Sequence, residues 1–185
     1  MIARRILLKP FFEFLKKNKF NKVLEVGTGN RYRADEYEIN CKKLITSSKE
    51  YNPKNTMQAD ACNLPFKDNE FDLVISIAML QYIPRVWEAV NEMKRVTKEY
   101  LFVGVPFMTG KNEKESKEYW RFTQRGIREI VGLPVEFSFR VPLNIEKYYT
   151  SHFTMFKKNP RGTLPSKEDK RSTLRSKSTL QSTRR

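Results

Sequence analysis

The chain has 185 residues, 39% of them hydrophobic, which suits one domain with a sizeable core and is too short for two. Its formal net charge is +15, but ten Lys or Arg and only two acids lie at 157–185, which places +8 of that charge in one terminal segment. The sole histidine, His152, and two cysteines outside any CxxC pair leave no residue set for a zinc site, a disulfide scaffold or a Ser-His-Asp triad.

The N-terminal segment is basic and predicts a short amphipathic helix. Lys9 and Pro10 interrupt its apolar run before it reaches the length of a signal-peptide core, and no later run could span a bilayer. Pro10 suits a first helical position, after which Phe11, Phe14 and Leu15 share one face opposite several lysines. This helix could pack on a sheet or make weak contact with a membrane surface. We expect a cytoplasmic protein.

A short apolar run at 23–26 contains one acid and then breaks into two glycines. The pattern predicts a buried parallel strand that ends in a tight turn, since Gly27 and Gly29 let the backbone approach a ligand closely. Asn30 replaces one glycine of the usual dinucleotide fingerprint, so the motif alone also fits a plain turn.

A second predicted strand, at 43–47, ends where adenosine-binding α/β sheets place an acid for the ribose hydroxyls, about 20 residues beyond the glycines. Ser48 and Glu50 lie at that distance. Ser48 is not a carboxylate, so Glu50 is the predicted contact if the segment stays extended past Ser47. If the chain turns at Ser48, its hydroxyl or a water molecule would hold the ribose instead.

A short third strand is predicted at 56–59, followed by Asp60 and Ala61. The carboxylate could accept a hydrogen bond from an adenine amino group, while the small side chain after it leaves room for the ring. An Asp that caps a helical turn is the alternative.

The stretch at 71–80 is the most apolar in the chain and predicts the central strand of the sheet. A helix should begin at Pro84, because apolar positions recur from there at helical spacing, namely Val86, Val90, Met93 and Thr97. A strand at 100–106 should stop at Pro106, and Thr123 can cap a further helix.

Two strands at 135–141 and 147–157 complete the folded region, and His152 is expected there as a half-buried strand residue. The alternation of strands and helices predicts a mostly parallel α/β sheet. From 160 onward Ser, Thr, Lys and Arg dominate, so 160–185 should be a disordered basic tail behind a single domain at 1–159. Such a tail could bind nucleic acid.

Several segments carry a resemblance to a known family. They are EVGTGN at 25–30, ADACNLPFKDNEFDLVISIAMLQYIP at 59–84, NEMKRV at 91–96, VGVPF at 103–107 and YWRFT at 119–123. In order and spacing, over 21–157, they resemble the class I S-adenosylmethionine-dependent methyltransferases, and the pairing of LPF with FDLV is the most specific part. The resemblance implies a Rossmann-like, mostly parallel seven-stranded sheet with an antiparallel last strand and helices on both faces.

The resemblance also implies S-adenosylmethionine as the cofactor. The methionine portion would face Glu25 and the backbone of the glycine turn, the adenine would lie beside Asp60 and Ala61, and the sulfonium would lie beside 76–78. With the ribose candidate added, the predicted cofactor-binding residues are Glu25, Gly27, Gly29, Glu50, Asp60, Ala61 and Ser76.

The chain departs from the family pattern at four places. Asn30 replaces a glycine, Ser48 stands at the usual ribose acid, Gln81-Tyr82 stand where many relatives have Glu-His, and no Gly-Gly turn precedes Tyr100. The missing ribose acid should weaken cofactor binding, since a charged hydrogen bond contributes about 1.5–3 kcal/mol.

The implied function is methyl transfer from S-adenosylmethionine to an acceptor that the sequence does not identify. No Asn/Asp-Pro-Pro-aromatic sequence follows the strand at 71, which argues against adenine or glutamine amino groups and favours an O or C nucleophile of a small molecule, glycan or lipid. Tyr82 could accept a proton or pack beneath the site. Trp120 and Arg121 could cover the methyl group or anchor the next helix. No catalytic residue is assigned.

Two other functions stay open. The chain could be a weak or inactive member of the fold that binds a nucleic acid or protein partner through its basic tail, as the substitutions at Asn30 and Ser48 suggest. The charge alone would also fit an RNA methyltransferase.

Overall fold

The computed structural model describes residues 8–28, 39–50, 53, 55–108, 117–142 and 150–158. Within these residues lie three α-helices, a one-turn 3-10 helix at Leu80–Tyr82 and seven strands. The helices are α1 (Lys9–Lys17), α2 (Val86–Val96) and α3 (Gln124–Val131). The strands are β1 (Phe20–Val26), β2 (Cys41–Ser48), β3 (Met57–Gln58), β4 (Phe71–Ile77), β5 (Thr97–Met108), β6 (Val135–Pro142) and β7 (Thr150–Lys157).

The strands form one sheet in the order β3-β2-β1-β4-β5-β7-β6. β1 pairs in parallel with β2 on one side and β4 on the other, β4 pairs in parallel with β5, and β7 is antiparallel to both of its neighbours. The chain order reverses between β1 and β4, so a crevice is expected at their carboxyl ends. The predicted mostly parallel seven-stranded sheet with an antiparallel last strand is confirmed.

Alternate residues of the central strands pack against different helices, as a strand's period of two requires. Leu24 and Val74 belong to a core beneath α2 and α3, whereas Val23 and Leu73 belong to a core beneath α1. Every residue of β4 is buried, as its unbroken apolar run predicts. Helices therefore cover both faces of the sheet.

The apolar face of α1 is buried against the sheet. Phe11 is fully buried and its ring stacks on Phe102 at 3.8 Å between ring centres, and Leu15 is 2% exposed. This packing leaves the lysine side of the helix facing outward. Contact of α1 with a membrane surface stays a prediction, but the apolar face that suggested it is buried against the sheet. No helix in the described part of the chain has the length and apolar character needed to cross a membrane.

Several predicted boundaries are wrong by a few residues. Thr97 begins β5 instead of continuing α2, and its hydroxyl donates to the Met93 carbonyl at 2.6 Å. β5 also runs through Pro106, because β4 ends opposite Gly104 and β5 is paired beyond that point only with β7. In addition, α2 begins at 86 instead of 84 and β3 has only two residues, while the predicted start of the last strand at 147 lies outside the described residues. The tail at 160–185 lies outside the described residues.

Thr123 caps the N-terminus of α3, as predicted. The Thr123 hydroxyl accepts a hydrogen bond from the Gly126 N–H at 2.9 Å, and the helix ends at Gly132 with a φ of 63°. Thr123→Ala should lower the free energy of unfolding by about 1 kcal/mol, because one N–H of the first turn loses its acceptor. Urea unfolding measures this loss. An unchanged midpoint and slope would show that the cap contributes nothing.

Candidate functional site

The glycine turn at the end of β1 has no room for a side chain. Gly27 has a φ of +76°, and its N–H and that of Thr28 both donate to the Ser47 carbonyl, at 2.8 and 3.1 Å. A Cβ built at Gly27 would lie 2.1 Å from Cγ of Met79. The turn therefore requires glycine at this position, as predicted. Gly29 lies outside the described residues.

Glu25 lies deep in the sheet at the carboxyl end of β1. It is 1% exposed and lies between Thr46 of β2 and Ile75 of β4 in the strand register. A carboxylate buried to this extent is held by polar partners, because burying the charge alone is very unfavourable. Its predicted contact with the methionine portion of the cofactor stays a prediction.

The end of β2 does not follow the extended path on which the Glu50 prediction depended. β2 ends at Ser48, the chain bends at Lys49 and Glu50, and Glu50 is exposed. The Ser48 hydroxyl donates to the Glu50 carbonyl at 2.6 Å and accepts from Asn55 Nδ2 at 2.8 Å. The bend corrects the expectation of an extended segment and favours the alternative in which Ser48 or water meets the ribose.

Thr28 and Asn55 were not predicted as site residues. The Thr28 hydroxyl lies 2.5 Å from Asn55 Oδ1 and 3.2 Å from the Ser47 carbonyl. Together with the bond from Asn55 to Ser48, these contacts join the ends of β1 and β2 by side chains. The only sequence signal was the position of Thr28 between two glycines, because Asn55 is brought there by the return of the chain before β3.

Replacing Ser48 by aspartate tests which residue is positioned for the ribose. Ser48→Asp should tighten binding of S-adenosylhomocysteine by about 10- to 100-fold, since a charged hydrogen bond contributes about 1.5–3 kcal/mol. The matched variant Glu50→Gln should leave the affinity unchanged. Calorimetric titration measures both. Weaker binding in Glu50→Gln with no gain in Ser48→Asp would restore Glu50 as the ribose contact.

Asp60 caps a local turn and also forms an ion pair. Its Oδ1 accepts from the Cys62 N–H at 2.9 Å, and its Oδ2 lies 2.9 Å from Nζ of Lys49. The Cys62 N–H and the Lys49 ammonium hold the pKa of Asp60 below its ordinary value, so the group is ionised at neutral pH. A carboxylate has about four acceptor sites, so an adenine amino group could still bind beside these donors. Ala61 is buried next to it.

An arginine of α2 fixes the segment that follows Asp60 and Ala61. Arg95 donates to the carbonyls of Leu64 and Phe66 at 2.9 and 2.7 Å, and it pairs with Glu92 and Asp68 at 2.7 and 2.9 Å. The Glu92 carboxylate also accepts from the Leu64 N–H at 2.8 Å. These bonds join the 64–68 segment to α2. The segment NEMKRV at 91–96 contributed to the family resemblance, but the sequence did not predict that its Arg95 and Glu92 would hold the 64–68 segment.

The end of β4 has two unusual features. The hydroxyl of Ser76 is fully buried and has no hydrogen-bond partner among the described residues. Ala78 has a φ of 53°, a conformation that costs an L-residue about 1–2 kcal/mol, and its N–H donates to the Gly104 carbonyl at 2.8 Å. Both residues belong to the segment that the resemblance places beside the sulfonium.

On the predicted substrate side, Tyr82 does not pack beneath the site. It is 49% exposed, whereas its neighbour Gln81 is 3% exposed. Trp120 Nε1 donates to the Ile83 carbonyl at 2.8 Å, and its ring meets Trp87 edge-on at 5.1 Å, which supports an anchoring role. Arg121 pairs with Glu118 in the same segment. Contact of Tyr82, Trp120 or Arg121 with a substrate stays a prediction.

These side chains come together because the carboxyl ends of β1, β2, β3 and β4 meet at one edge of the sheet. That edge brings together the Gly27 turn, the Ser48 hydroxyl, the ionised Asp60 carboxylate and the buried Ser76 hydroxyl. The strand order is that of the open α/β proteins, a class in which ligands bind outside the carboxyl ends of the strands at the switch point of the sheet.

Comparison with known proteins agrees with this class. Residues 24–101 match the family model of the methyltransferase domain. This stretch resembles a methyltransferase domain, and the seven-stranded sheet has the Rossmann-like fold of such domains. Comparison with curated protein sequences finds no match.

Solved structures show the same fold at low sequence identity. A SAM-dependent methyltransferase from Aquifex aeolicus has a TM-score of 0.57 and 16% identity, with 83% of this chain and 93% of that one covered. The YcgJ protein of Bacillus subtilis has a TM-score of 0.66 and 10% identity, with 84% and 99% covered. The [4+2]-cyclase SpnF also matches, with a TM-score of 0.62, 13% identity, and 83% and 81% covered. The fold alone therefore does not determine the reaction.

Proposed function

We propose that the protein binds S-adenosylmethionine at the carboxyl edge of β1, β2 and β4 and transfers its methyl group to a small-molecule acceptor. The observation that carries this proposal is the sheet order β3-β2-β1-β4-β5-β7-β6, which brings the Gly27 turn, the Ser48 region and Asp60 to one edge. The match of 24–101 to the methyltransferase domain supports the general reaction.

The residues present fit such a cofactor in most respects. Gly27 provides a backbone turn without a side chain, Asp60 offers an ionised acceptor for an amino group, and Ala61 leaves space beside it. Ser48 fits the cofactor least well. Its hydroxyl stands where relatives have a carboxylate for the ribose, and it already bonds to Glu50 and Asn55. When bound, the cofactor supplies a methyl group already activated by a sulfonium. The protein must bind and orient the acceptor and exclude water.

A small neutral acceptor is favoured over a nucleic acid for the folded region. Two exposed basic side chains near Trp87 and Trp120 are neutralised by local pairs, Arg85 with Glu88 and Arg121 with Glu118, and this pairing weakens the case for phosphate binding there, although Lys117 and Arg125 are exposed as well. Nucleic-acid binding then depends on 160–185, which lies outside the described residues.

Calorimetric titration of the full chain with S-adenosylmethionine and S-adenosylhomocysteine tests the proposal. Binding of both ligands, together with transfer of a labelled methyl group to a fraction of cell extract, is expected. Deleting 160–185 should leave cofactor binding unchanged. A folded chain that binds neither ligand would contradict the proposal and support the second candidate function, a binding protein, which Ser48 at the ribose position favours.

A further inference from the structure

Four buried polar atoms have no hydrogen-bond partner among the described residues. They are Ser76 Oγ, Gln81 Oε1, His152 Nδ1 and Thr154 Oγ1. Buried polar side chains in native proteins are nearly always paired with protein, water or a ligand. Four orphaned atoms in a described region of this size therefore need an explanation.

The strand register puts three of these groups on one face of the sheet. Ser76 of β4 and Thr154 of β7 lie on opposite sides of Val103 of β5, and His152 pairs with Val105 two residues along. Val103 and Val105 both belong to the core beneath α2 and α3, so their cross-strand neighbours face the same way. With strands about 4.8 Å apart and a rise of about 3.4 Å per residue, Thr154 lies about 10 Å from Ser76, and His152 lies about 12 Å from Ser76.

Ser138, on the same face of the sheet, has the hydrogen-bond partners that these three groups lack within the described part of the chain. Ser138 of β6 lies opposite Thr154, but its hydroxyl accepts from Gln124 and Arg128 of α3, at 2.9 and 2.5 Å. The helix thus satisfies the polar group at the edge of the sheet. Thr154 Oγ1, His152 Nδ1 and Ser76 Oγ, nearer to β4, have no such partner among the described residues, and the resemblance places the sulfonium beside Ser76.

The segment 119–122 is attached near the carboxyl ends of β4 and β5. The N–H groups of Tyr119 and Trp120 donate to the Gln81 carbonyl at 2.7 and 3.3 Å, and the Phe122 N–H lies 3.5 Å from the Pro106 carbonyl. Gln81 itself uses Nε2 on the Ala78 carbonyl and leaves Oε1 unpaired. The fourth orphaned atom thus belongs to the residue whose carbonyl binds the 119–122 segment.

The charge state of these groups limits what they could bind. Burial, assisted by Arg140 opposite it on β6, lowers the pKa of His152, so the imidazole is neutral at physiological pH. The Phe107 ring, 5.0 Å from the imidazole, adds no charge. A cation buried here would lose its hydration and be repelled by Arg140, and an anion would lose its hydration with only the exposed Arg140 as an opposite charge.

We propose that His152, Thr154 and Ser76 line the acceptor subsite and bind a neutral hydroxyl group, with Nδ1 of His152 accepting its hydrogen bond. The proposal rests on the proposed function and names the acceptor class as a neutral hydroxyl compound. It departs from the expectation that His152 is merely a half-buried strand residue, since it is 2% exposed with Nδ1 unpaired.

The single histidine makes the wild-type protein its own probe. Imidazole ¹⁵N spectra of the untagged full chain, saturated with S-adenosylhomocysteine, report only on His152. Methanol and benzyl alcohol at millimolar concentrations should shift the Nδ1 signal, whereas benzoate and benzylammonium, of similar shape but charged, should not. No shift with either alcohol, or equal shifts with all the ring compounds, would overturn the proposal.

Three variants separate a binding role from a structural one. Thr154→Val and His152→Phe should raise the Tm by about 2–6 °C, since each removes a buried unpaired group, and should weaken benzyl alcohol binding at least about tenfold. Ser138→Ala, the matched control, should lower the Tm and leave alcohol binding unchanged. Stabilised variants that bind benzyl alcohol as the wild type does would contradict the assignment.

Failure of the proposed function would be recognised separately. If S-adenosylhomocysteine does not bind the full chain, the cofactor proposal is wrong and the acceptor subsite is wrong with it. If S-adenosylhomocysteine binds but His152 responds to no alcohol, only the acceptor subsite is wrong.

Discussion

Gly27→Ala should lower the free energy of unfolding by roughly 2–4 kcal/mol and weaken S-adenosylhomocysteine binding at least about tenfold. The φ of +76° is costly for any residue with a Cβ, and that Cβ would lie 2.1 Å from Cγ and 2.7 Å from Cβ of Met79. Met79 is buried, so it cannot move away without repacking its neighbours. Chemical denaturation and calorimetric titration measure the two losses.

Two further variants show whether the loss has this cause. Gly126→Ala places a Cβ 3.2 Å from the Thr123 hydroxyl at the start of α3 and should change stability by less than about 1 kcal/mol. The double variant Gly27→Ala/Met79→Ala should lose less free energy of unfolding than the two single variants together. Gly27→Ala creates the clash with the Met79 side chain, and Met79→Ala removes most of that side chain. Full additivity would show that Met79 is not what restricts Gly27.

Arg95→Met should lower the free energy of unfolding by about 2–4 kcal/mol, because the change leaves two carbonyls and the Glu92 carboxylate without their donor. It should also weaken S-adenosylhomocysteine binding by about 3- to 10-fold, since the 64–68 segment follows Asp60 and Ala61 directly. Arg85→Met, which breaks an exposed pair with Glu88 and removes a positive charge near Asp60, should lower the free energy of unfolding by less than about 1 kcal/mol.

The pH dependence of the Arg95 effect has a defined sign. Arg95 holds the pKa of Glu92 below its ordinary value, so the stability contributed by this pair is present above the unfolded pKa of about 4.3 and is lost as the pH falls through the folded value. The difference in free energy of unfolding between wild type and Arg95→Met should therefore become smaller below about pH 4.

If Arg95→Met loses stability but binds S-adenosylhomocysteine with unchanged affinity, the 64–68 segment does not position the predicted adenine contacts.

The features predicted from sequence are those that depend on local pattern. The strongly apolar run of β4 and the glycine turn after β1 are both local signals, so the sequence predicted a buried central strand and a tight turn at these places. Thr123 was predicted as a cap for the same reason, since its hydroxyl bonds to an N–H only three residues away.

The features that were not predicted depend on contacts between distant segments. The bend at Lys49 follows from bonds that Ser48 makes with Asn55 and Glu50, and the ion pair from Lys49 to Asp60 exists only because of that bend. The continuation of β5 through Pro106 depends on where β4 ends. Likewise, the sequence gives no sign that Gln81 is buried and Tyr82 exposed, because both lie in one turn of 3-10 helix.

The edge-on contact between Trp87 and Trp120 has a practical consequence, because these are the only two tryptophans in the chain. One belongs to α2 and the other to the segment bound to Gln81 and Ile83, so indole emission excited at long wavelength arises entirely from their junction. Any ligand that moves that segment relative to α2 would change the emission without an added label, so tryptophan fluorescence reports directly on the junction between the two.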